Sequence, residues 1–288
     1  MNQNIPTYQL NILSQQDDGT LDVFMLNQKM KKPEVSIDIP YRTNYYGVGL
    51  CLEGEAELKA NLESYTIRPG FITAMSPHII KQWHYMSDDF ETLTIFFTKD
   101  FITTNNNLNL DKFHFFESIA KHAFQLSATQ SKNISASLIF LQHKYGTPHI
   151  YRNEILKNLI NNLLYEIASI YDQQIVALNA VQNRSQLLSA EFKQLVNIHF
   201  SIERSVKFYA EKLFITPKHL TKALKEVTGK TAGEWIDETV ILEAKVLLQN
   251  PALTIAQISD MLHFADQSTF GKFFKNITGV SPAAYKLG

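Results

Sequence analysis

Between Tyr209 and Gly279 one helical pattern is written twice, and nothing else in the chain constrains its fold as strongly. The first copy reads Tyr209-Ala-Glu-Lys-Leu-Phe-Ile-Thr-Pro-Lys-His-Leu-Thr-Lys-Ala-Leu-Lys-Glu-Val-Thr-Gly229. The second reads Ile258-Ser-Asp-Met-Leu-His-Phe-Ala-Asp-Gln-Ser-Thr-Phe-Gly-Lys-Phe-Phe-Lys-Asn-Ile-Thr-Gly279. Leu213 matches Leu262 and, after one extra residue in the second turn, Leu220 matches Phe270. Lys222, Leu224, Lys225, Val227, Thr228 and Gly229 then fall on Lys272, Phe274, Lys275, Ile277, Thr278 and Gly279. Each copy predicts a short helix, a tight turn and a second helix, apolar on one face and lysine-bearing on the other. That is the layout of a helix-turn-helix, whose second helix enters the major groove of DNA.

At 288 residues the chain can hold two domains, each with its own core. A hydrophobic share of 45% against 19% charged residues excludes a disordered polyelectrolyte. No apolar run approaches the roughly 20 residues of a membrane span, and Met1-Asn-Gln-Asn-Ile-Pro6 lacks the basic-then-apolar order of a secretory signal. Cys51 is the only cysteine, which excludes an internal disulfide. The expected location is the cytoplasm. The net charge of −1 conceals an asymmetry. From Arg184 onward 13 basic residues face 10 acidic ones, a net of +3, whereas the preceding residues carry 14 against 18, a net of −4. Lys218, Lys222, Lys225 and Lys230 crowd the first of the two second helices.

In chain order, residues 1–20 are polar and read as an N-terminal arm with at most one short strand. From Leu21 to Phe101 the pattern is strand-like. Val48, Leu50 and Leu52 alternate, as do Ala56, Leu58, Ala60 and Leu62, and later Leu93, Ile95 and Phe97. Arg68-Pro-Gly70 marks a turn, since proline presets φ and glycine supplies its positive value. Residues 103–107 read as a loop. Helical spacing follows at Phe116, Ile119, Ala120 and Ala123, then at Ile134, Leu138, Leu141 and Tyr145. The segment from Arg152 to Leu178 is the longest helix candidate. Its stripe of Ile155, Leu159, Leu163, Ile167 and Ile170, widened by Leu156, Ile160, Leu164 and Tyr171, could pack its own domain on one side and a second chain on the other. Residues 21–178 thus form a regulatory and dimerisation domain, 179–186 a linker, and 187–288 the DNA-binding domain.

The segments Leu52-Glu-Gly-Glu-Ala-Glu-Leu58, Tyr65-Thr-Ile-Arg-Pro-Gly-Phe-Ile72 and Ser76-Pro-His78 resemble a cupin barrel. That resemblance implies a small closed barrel for the N-terminal domain. It does not imply a metal: no His-x-His pair stands where a cupin needs one, and His78 and His84 alone do not make a site. No metal or other cofactor is expected. Arg42, Tyr45, Trp83, His84 and Phe97 are residue types that could line a pocket, but no effector-binding residue is assigned.

In the C-terminal half, boundary chemistry separates the helices. Thr216-Pro217 sets an N-cap before a first-turn proline, while Thr231-Ala-Gly-Glu234 and Thr254-Ile-Ala-Gln257 fit capping boxes. Gly229 and Gly279 stand where left-handed C-caps belong. Ile236, Val240, Ala244 and Leu247 define a connecting helix between Thr231 and Gln249, long enough to hold two reading heads over consecutive major-groove segments.

Over Arg184 to Tyr285 the chain resembles the AraC/XylS family of bacterial transcription regulators. The residues that carry the resemblance include Tyr209-Ala-Glu-Lys-Leu213, Thr216-Pro-Lys-His-Leu220, Gly229-Lys-Thr231 and Glu243-Ala244. Ile255-Ala-Gln-Ile258, His263-Phe-Ala-Asp-Gln-Ser268, Phe270-Gly-Lys-Phe-Phe-Lys275 and Thr278-Gly-Val-Ser-Pro282 complete it. It implies an α+β multidomain chain: a cupin-like β-barrel with dimerisation helices, then an all-α domain with two helix-turn-helix motifs joined by a long helix. It implies a dimeric regulator of promoter DNA, usually an activator working with RNA polymerase, whose barrel binds a small effector. Carried over by position, the groove-facing residues are Lys218, His219, Thr221 and Lys222 in the first head, and Gln267, Ser268, Gly271 and Lys272 in the second. Lys225 and Lys275 meet phosphates. Leu220, Leu224 and Val227 face the core, as do Phe270, Phe273 and Phe274. Lys222 and Lys272 stand where the family often has arginine, and lysine lacks the bidentate fork that discriminates guanine. Asp266 reads as a helix N-cap, because a carboxylate beside phosphates is unfavourable.

Three readings follow. The first is a sequence-specific regulator controlled by an effector. The second is a regulator whose barrel only dimerises. The third is a catalytic cupin tethered to a DNA-binding module, which the missing metal ligands disfavour.

Overall fold

The computed structural model describes residues 7–8, 10, 21–26, 38–77, 79–104, 109–117, 120–179 and 183–287, and every structural statement below concerns these. The chain divides into two compact units, Thr7–Ala177 and, from Leu178 onward, a second. No helix among the described residues is long and apolar enough to cross a membrane.

The strands of the first unit are, in order, β1 (Thr7–Tyr8), β2 (Val23–Leu26), β3 (Arg42–Thr43), β4 (Tyr45–Glu53) and β5 (Ala56–Ala60). They continue as β6 (Glu63–Ile67), β7 (Phe71–Met75), β8 (Lys81–Met86), β9 (Glu91–Thr98) and β10 (Ala123–Gln125). Helices α1 (Lys99–Thr103), α2 (Ala128–Gly146) and α3 (Arg152–Asn179) complete it. β4 lies at the centre of a five-stranded sheet of order β10-β7-β4-β9-β2, and β5 at the centre of a three-stranded sheet of order β6-β5-β8. The short β1 and β3 pair in parallel.

Alternation along β4 explains the layering. Tyr46, Val48 and Leu50 join Ile72, Ala74, Leu93, Ile95 and Phe97 in one core with Ile134 and Leu138 of α2 and Leu156, Ile160 and Leu163 of α3. On the opposite face, Cys51 packs with Ala56, Leu58, Ile67, Met75 and the half-buried Trp83, which brings the second sheet against the first. The Pro69-Gly70 turn forms as expected, with Gly70 at φ 83°.

The closed cupin-like barrel does not form. Among the described residues the strands make open sheets: no ladder joins the β10 or β2 edge of the larger sheet to the smaller one. Local alternation and turn residues specify strands and hairpins, whereas closure requires edge strands far apart in sequence to meet with matched tilt and stagger. A second correction concerns residues 116–123, whose spacing reads as helical. Two 3₁₀ turns, Leu110–Lys112 and His114–Phe116, precede β10, and β10 pairs with the edge of β7. Phe115, Phe116 and Phe124 are buried there, so tertiary pairing overrides a spacing that locally fits a helix. Ile119 and His78 lie outside the described residues.

Three of the pocket-type residues sit in different surroundings. Phe97 is in the core beneath the helices, Tyr45 packs with Leu10, Phe24 and Phe96, and His84 is exposed beside Asp38 at 2.5 Å. Most of the α3 stripe serves its own unit. Leu156, Ile160, Leu163, Leu164, Ile167 and Tyr171 are buried in the core, with Leu159 and Ile170 packed partly against it.

Lys81, on β8, is only 6% exposed. Its Nζ donates to Thr43 Oγ1 at 2.6 Å and lies 5.6 Å and 6.0 Å from the ring centroids of Tyr45 and Tyr41. Burial pushes this ammonium down to about 7.

The second unit is all helical: α4 (Arg184–His199), α5 (Val206–Lys212), α6 (Pro217–Thr228), α7 (Ala232–Leu248), α8 (Ile255–Met261), α9 (Gln267–Thr278) and α10 (Pro282–Leu287). α4 begins inside the stretch read as linker, because Asn183 and Gln186 form a reciprocal capping box there. Residues 180–182 of that stretch lie outside the described residues.

Candidate nucleic-acid interface

The duplication is visible in backbone detail. In the first head the chain leaves α5 through hydrogen bonds from Leu213 N to Tyr209 O (3.1 Å), Phe214 N to Glu211 O (3.1 Å) and Ile215 N to Ala210 O (3.0 Å). In the second, Leu262, His263 and Phe264 repeat these bonds to Ile258, Asp260 and Ser259, each at 3.0 Å. Phe214 and His263 both take left-handed backbone, at φ 55° and 52°. The extra residue of the second turn is Ala265, after which the N-caps coincide. Thr216 accepts from His219 N at 3.2 Å, and Asp266 from Thr269 N at 2.7 Å. That backbone bond holds the Asp266 carboxyl below its ordinary value, as a helix N-terminus favours.

The helices that follow also end alike. Gly229 and Gly279 adopt φ 75° and 81°, with their N–H groups donating to Lys225 O and Lys275 O at 3.0 and 2.9 Å. Thr228 and Thr278 each donate back to a carbonyl four residues earlier at 2.8 Å. The correspondence extends into the next helices, where Thr231 and Ser281 sit at the N-terminal ends of α7 and α10.

Packing separates two faces on each second helix. Leu220 and Leu224 of α6, and Phe270 and Phe274 of α9, are fully buried. The second core gathers Phe264, Phe270 and Phe274 against Val240, Ile241, Ala244 and Leu247 of the connecting helix. Ring contacts at 5.2 Å (Phe264–Phe270) and 5.9 Å (Phe270–Phe274) tie the aromatic set together. The first core uses Phe192 of α4 against Tyr209, with centroids 5.5 Å apart. Trp235 is buried and Tyr285 half-buried at their matched places.

On the opposite faces Lys218, Lys222 and Lys225 are exposed at i, i+4 and i+7 along α6, and Ser268, Lys272 and Lys275 repeat the spacing along α9. His219 and Gln267 are exposed as well, while Thr221 and the matching Gly271 are half-buried between the two faces. Five lysines thus share two short helical faces with no carboxylate in the same i, i+4, i+7 rows.

Two assignments change. Val227 is 38% exposed rather than inward, like its counterpart Ile277 at 42%. Both sit in the last turn, where the helix leaves the core. Lys230 does not belong to the α6 face: its Nζ pairs with Glu238 at 2.5 Å and lies 5.9 Å from the Trp235 ring. It locks α7 instead. Arg204, between α4 and α5, carries no signal in the sequence. Its guanidinium stands 3.6 Å from the Phe264 ring centroid and donates to the Leu262 carbonyl. It pins the second turn to the first head, and the Leu262 carbonyl lies 58 residues away, beyond the reach of local pattern.

The connecting helix is apolar almost all round, with Trp235, Ile236, Val240, Ile241, Ala244, Val246, Leu247 and Leu248 buried. Its 17 residues span about 26 Å at 1.5 Å each, somewhat less than the roughly 34 Å of one DNA turn.

Comparison with known proteins agrees with this geometry. A family model described as a helix-turn-helix domain matches residues 209–287. The chain is 26% identical over 170 residues to the Msm operon regulatory protein of Streptococcus mutans, which takes in 59% of this chain and 60% of that protein. Less than two-thirds of that relative is therefore matched. It is 23% identical over 273 residues to the arabinose operon regulatory protein of Salmonella typhimurium, covering 88% and 87% of the two chains. A solved structure of ToxT from Vibrio cholerae covers 92% of this chain, and 93% of its own, at 18% identity with a TM-score of 0.38, a slight overall likeness. The relatives are named as regulatory proteins, and none of these names describes an enzyme.

Proposed function

We infer that this chain is a DNA-binding transcription regulator of the AraC/XylS type, with α6 and α9 as the reading helices of two unequal heads. The observation that carries this reading is the repeated pairing of a buried apolar face with an exposed cationic one in a matched helix-turn-helix backbone. Lys218, His219, Thr221 and Lys222 read bases in the first head, and Gln267, Ser268 and Lys272 in the second. Lys225 and Lys275 neutralise phosphates and set register without reading sequence. The first head carries three exposed lysines against two, so it contributes more of the affinity.

The finer reading extends to partners. The protein acts in the cytoplasm as a homodimer on promoter DNA and activates transcription through RNA polymerase. Ile139 and Phe140 of α2 and Tyr165 of α3 are about half exposed, which leaves an apolar helical surface for a second copy. Sedimentation of the full chain checks this: a single monomer boundary at micromolar concentration excludes it. The first unit controls the second through a small effector, as implied by the family resemblance and by the operon-regulator names of the relatives.

The decisive experiment is capture of genomic fragments by the purified full-length protein, followed by affinity measurement on the enriched site. Replacing Lys222 by alanine is expected to weaken binding to that site by about 1–3 kcal/mol, with the melting temperature unchanged. Unaltered affinity would remove Lys222 from the reading set, and failure to enrich any fragment would remove the function itself.

A further inference from the structure

The two turns share a feature that lysine contacts leave unused. Phe214 and His263 directly follow the C-caps of α5 and α8, and both hold left-handed backbone. That region is unfavourable for most residues with a Cβ, phenylalanine among them, and glycine is its usual occupant at a helix end. This chain does use glycine for the same conformation at the ends of α6 and α9. At position 214 it carries instead a phenylalanine that is 96% exposed, the most exposed large apolar side chain among the described residues. Neither packing nor backbone geometry explains a phenyl ring there. An unfavourable conformation retained together with an unburied ring points to a contact made in another state.

Position in the motif indicates the partner. Phe214 stands two residues before Thr216, the N-cap of α6. In a helix-turn-helix the first residues of the second helix reach the base edges, so the corner just ahead of them comes to the margin of the groove. The apolar group exposed in the major groove is the thymine C5-methyl, for which phenylalanine is a suitable contact. We propose that Phe214 packs on a thymine methyl at the margin of the site read by the first head, burying its ring on DNA binding. The proposal rests on the DNA-binding reading above. The matched His263 is exposed and polar, so this apolar contact belongs to the first head alone.

The test uses the full-length protein and its captured genomic site, with each thymine replaced in turn by uracil, which lacks only the methyl group. Wild-type protein is expected to lose about ten-fold in affinity at one thymine position, equivalent to about 1.4 kcal/mol. Phe214→Gly and Phe214→Asn both tolerate left-handed backbone. Both should bind the native site about ten-fold more weakly and no longer distinguish thymine from uracil at that position. Their melting temperatures should hold or rise, since an exposed ring leaves no cavity and Phe214→Gly relieves the corner. The proposal is overturned if the variants bind the native site as tightly as wild type, retain the full uracil penalty, or melt lower. Unchanged DNA affinity with lost activation also overturns it and assigns the ring to a protein partner. If wild-type protein enriches no site at all, the DNA-binding reading has failed rather than this contact.

Discussion

Phe270→Ala is expected to cost about 3–5 kcal/mol of stability in the helical unit. Phe270 is fully buried between Phe264 and Phe274, so truncation removes a large transfer gain and leaves a cavity in a core built on α7. The loss approaches the whole stability of a small domain, typically about 5–15 kcal/mol. Trp235, near the opposite end of α7, reports on how far it spreads. With Trp83 replaced by phenylalanine, Trp235 fluorescence should show the denaturation midpoint falling sharply, because α7 serves both heads. A Trp235 transition that stays in place would mean that the second head unfolds alone, and the connecting helix would lose its role as a shared spine.

Lys81→Met is expected to stabilise the first unit, and by more at low pH than at high. Methionine fills similar volume, and Thr43 keeps a partner because its Oγ1 also donates to Tyr45 O at 3.0 Å. The folded-state value of Lys81 lies near 7, below the roughly 10.4 of an unfolded lysine. Well below pH 7 the ammonium is charged in both states and the fold carries the full desolvation penalty. As pH rises through 7 the folded form sheds its proton while the unfolded chain retains it, so stability climbs between about pH 7 and 10. The advantage of methionine over lysine should therefore shrink by about 2–3 kcal/mol between pH 6 and pH 9. Urea denaturation followed through Trp83, in a Trp235→Phe background, measures it. A difference independent of pH, or a variant less stable at pH 6, would show that Lys81 is hydrated in the folded protein.

These two residues also mark what sequence can and cannot convey. The helical unit is legible almost throughout because its determinants are local. The Thr216, Thr231, Thr254 and Asp266 caps bond to N–H groups three residues on, and Gly229 and Gly279 end the second helices by their own conformational freedom. Phe270 announces its burial through the repeat. The left-handed corner at Phe214 is silent in the sequence because phenylalanine does not favour that backbone. Lys230 groups with the α6 lysines in the sequence because its partner Glu238 lies on the next helix.

In the first unit, alternation places Val48, Leu50, Ile95 and Phe97 on strands correctly. It does not say which edges meet, so resemblance at the turns suggests a closed barrel where the sheets stay open. Lys81 has no signal at all. A lysine in a strand reads as a surface residue, and its burial depends on Tyr41, Thr43 and Tyr45 some forty residues earlier. The same non-locality explains β10, whose strand character comes from the β7 edge rather than from its own spacing.

The central claim is that the repeated cationic helices bind DNA, and its most direct test is a salt titration on the captured genomic site and on a scrambled copy. With about five lysines engaged, affinity for the captured site should fall several hundred-fold between 50 and 200 mM salt through counterion release. At every salt concentration the scrambled copy should bind at least about a thousand-fold more weakly. A flat salt response, or equal affinity for the two fragments, would contradict the account.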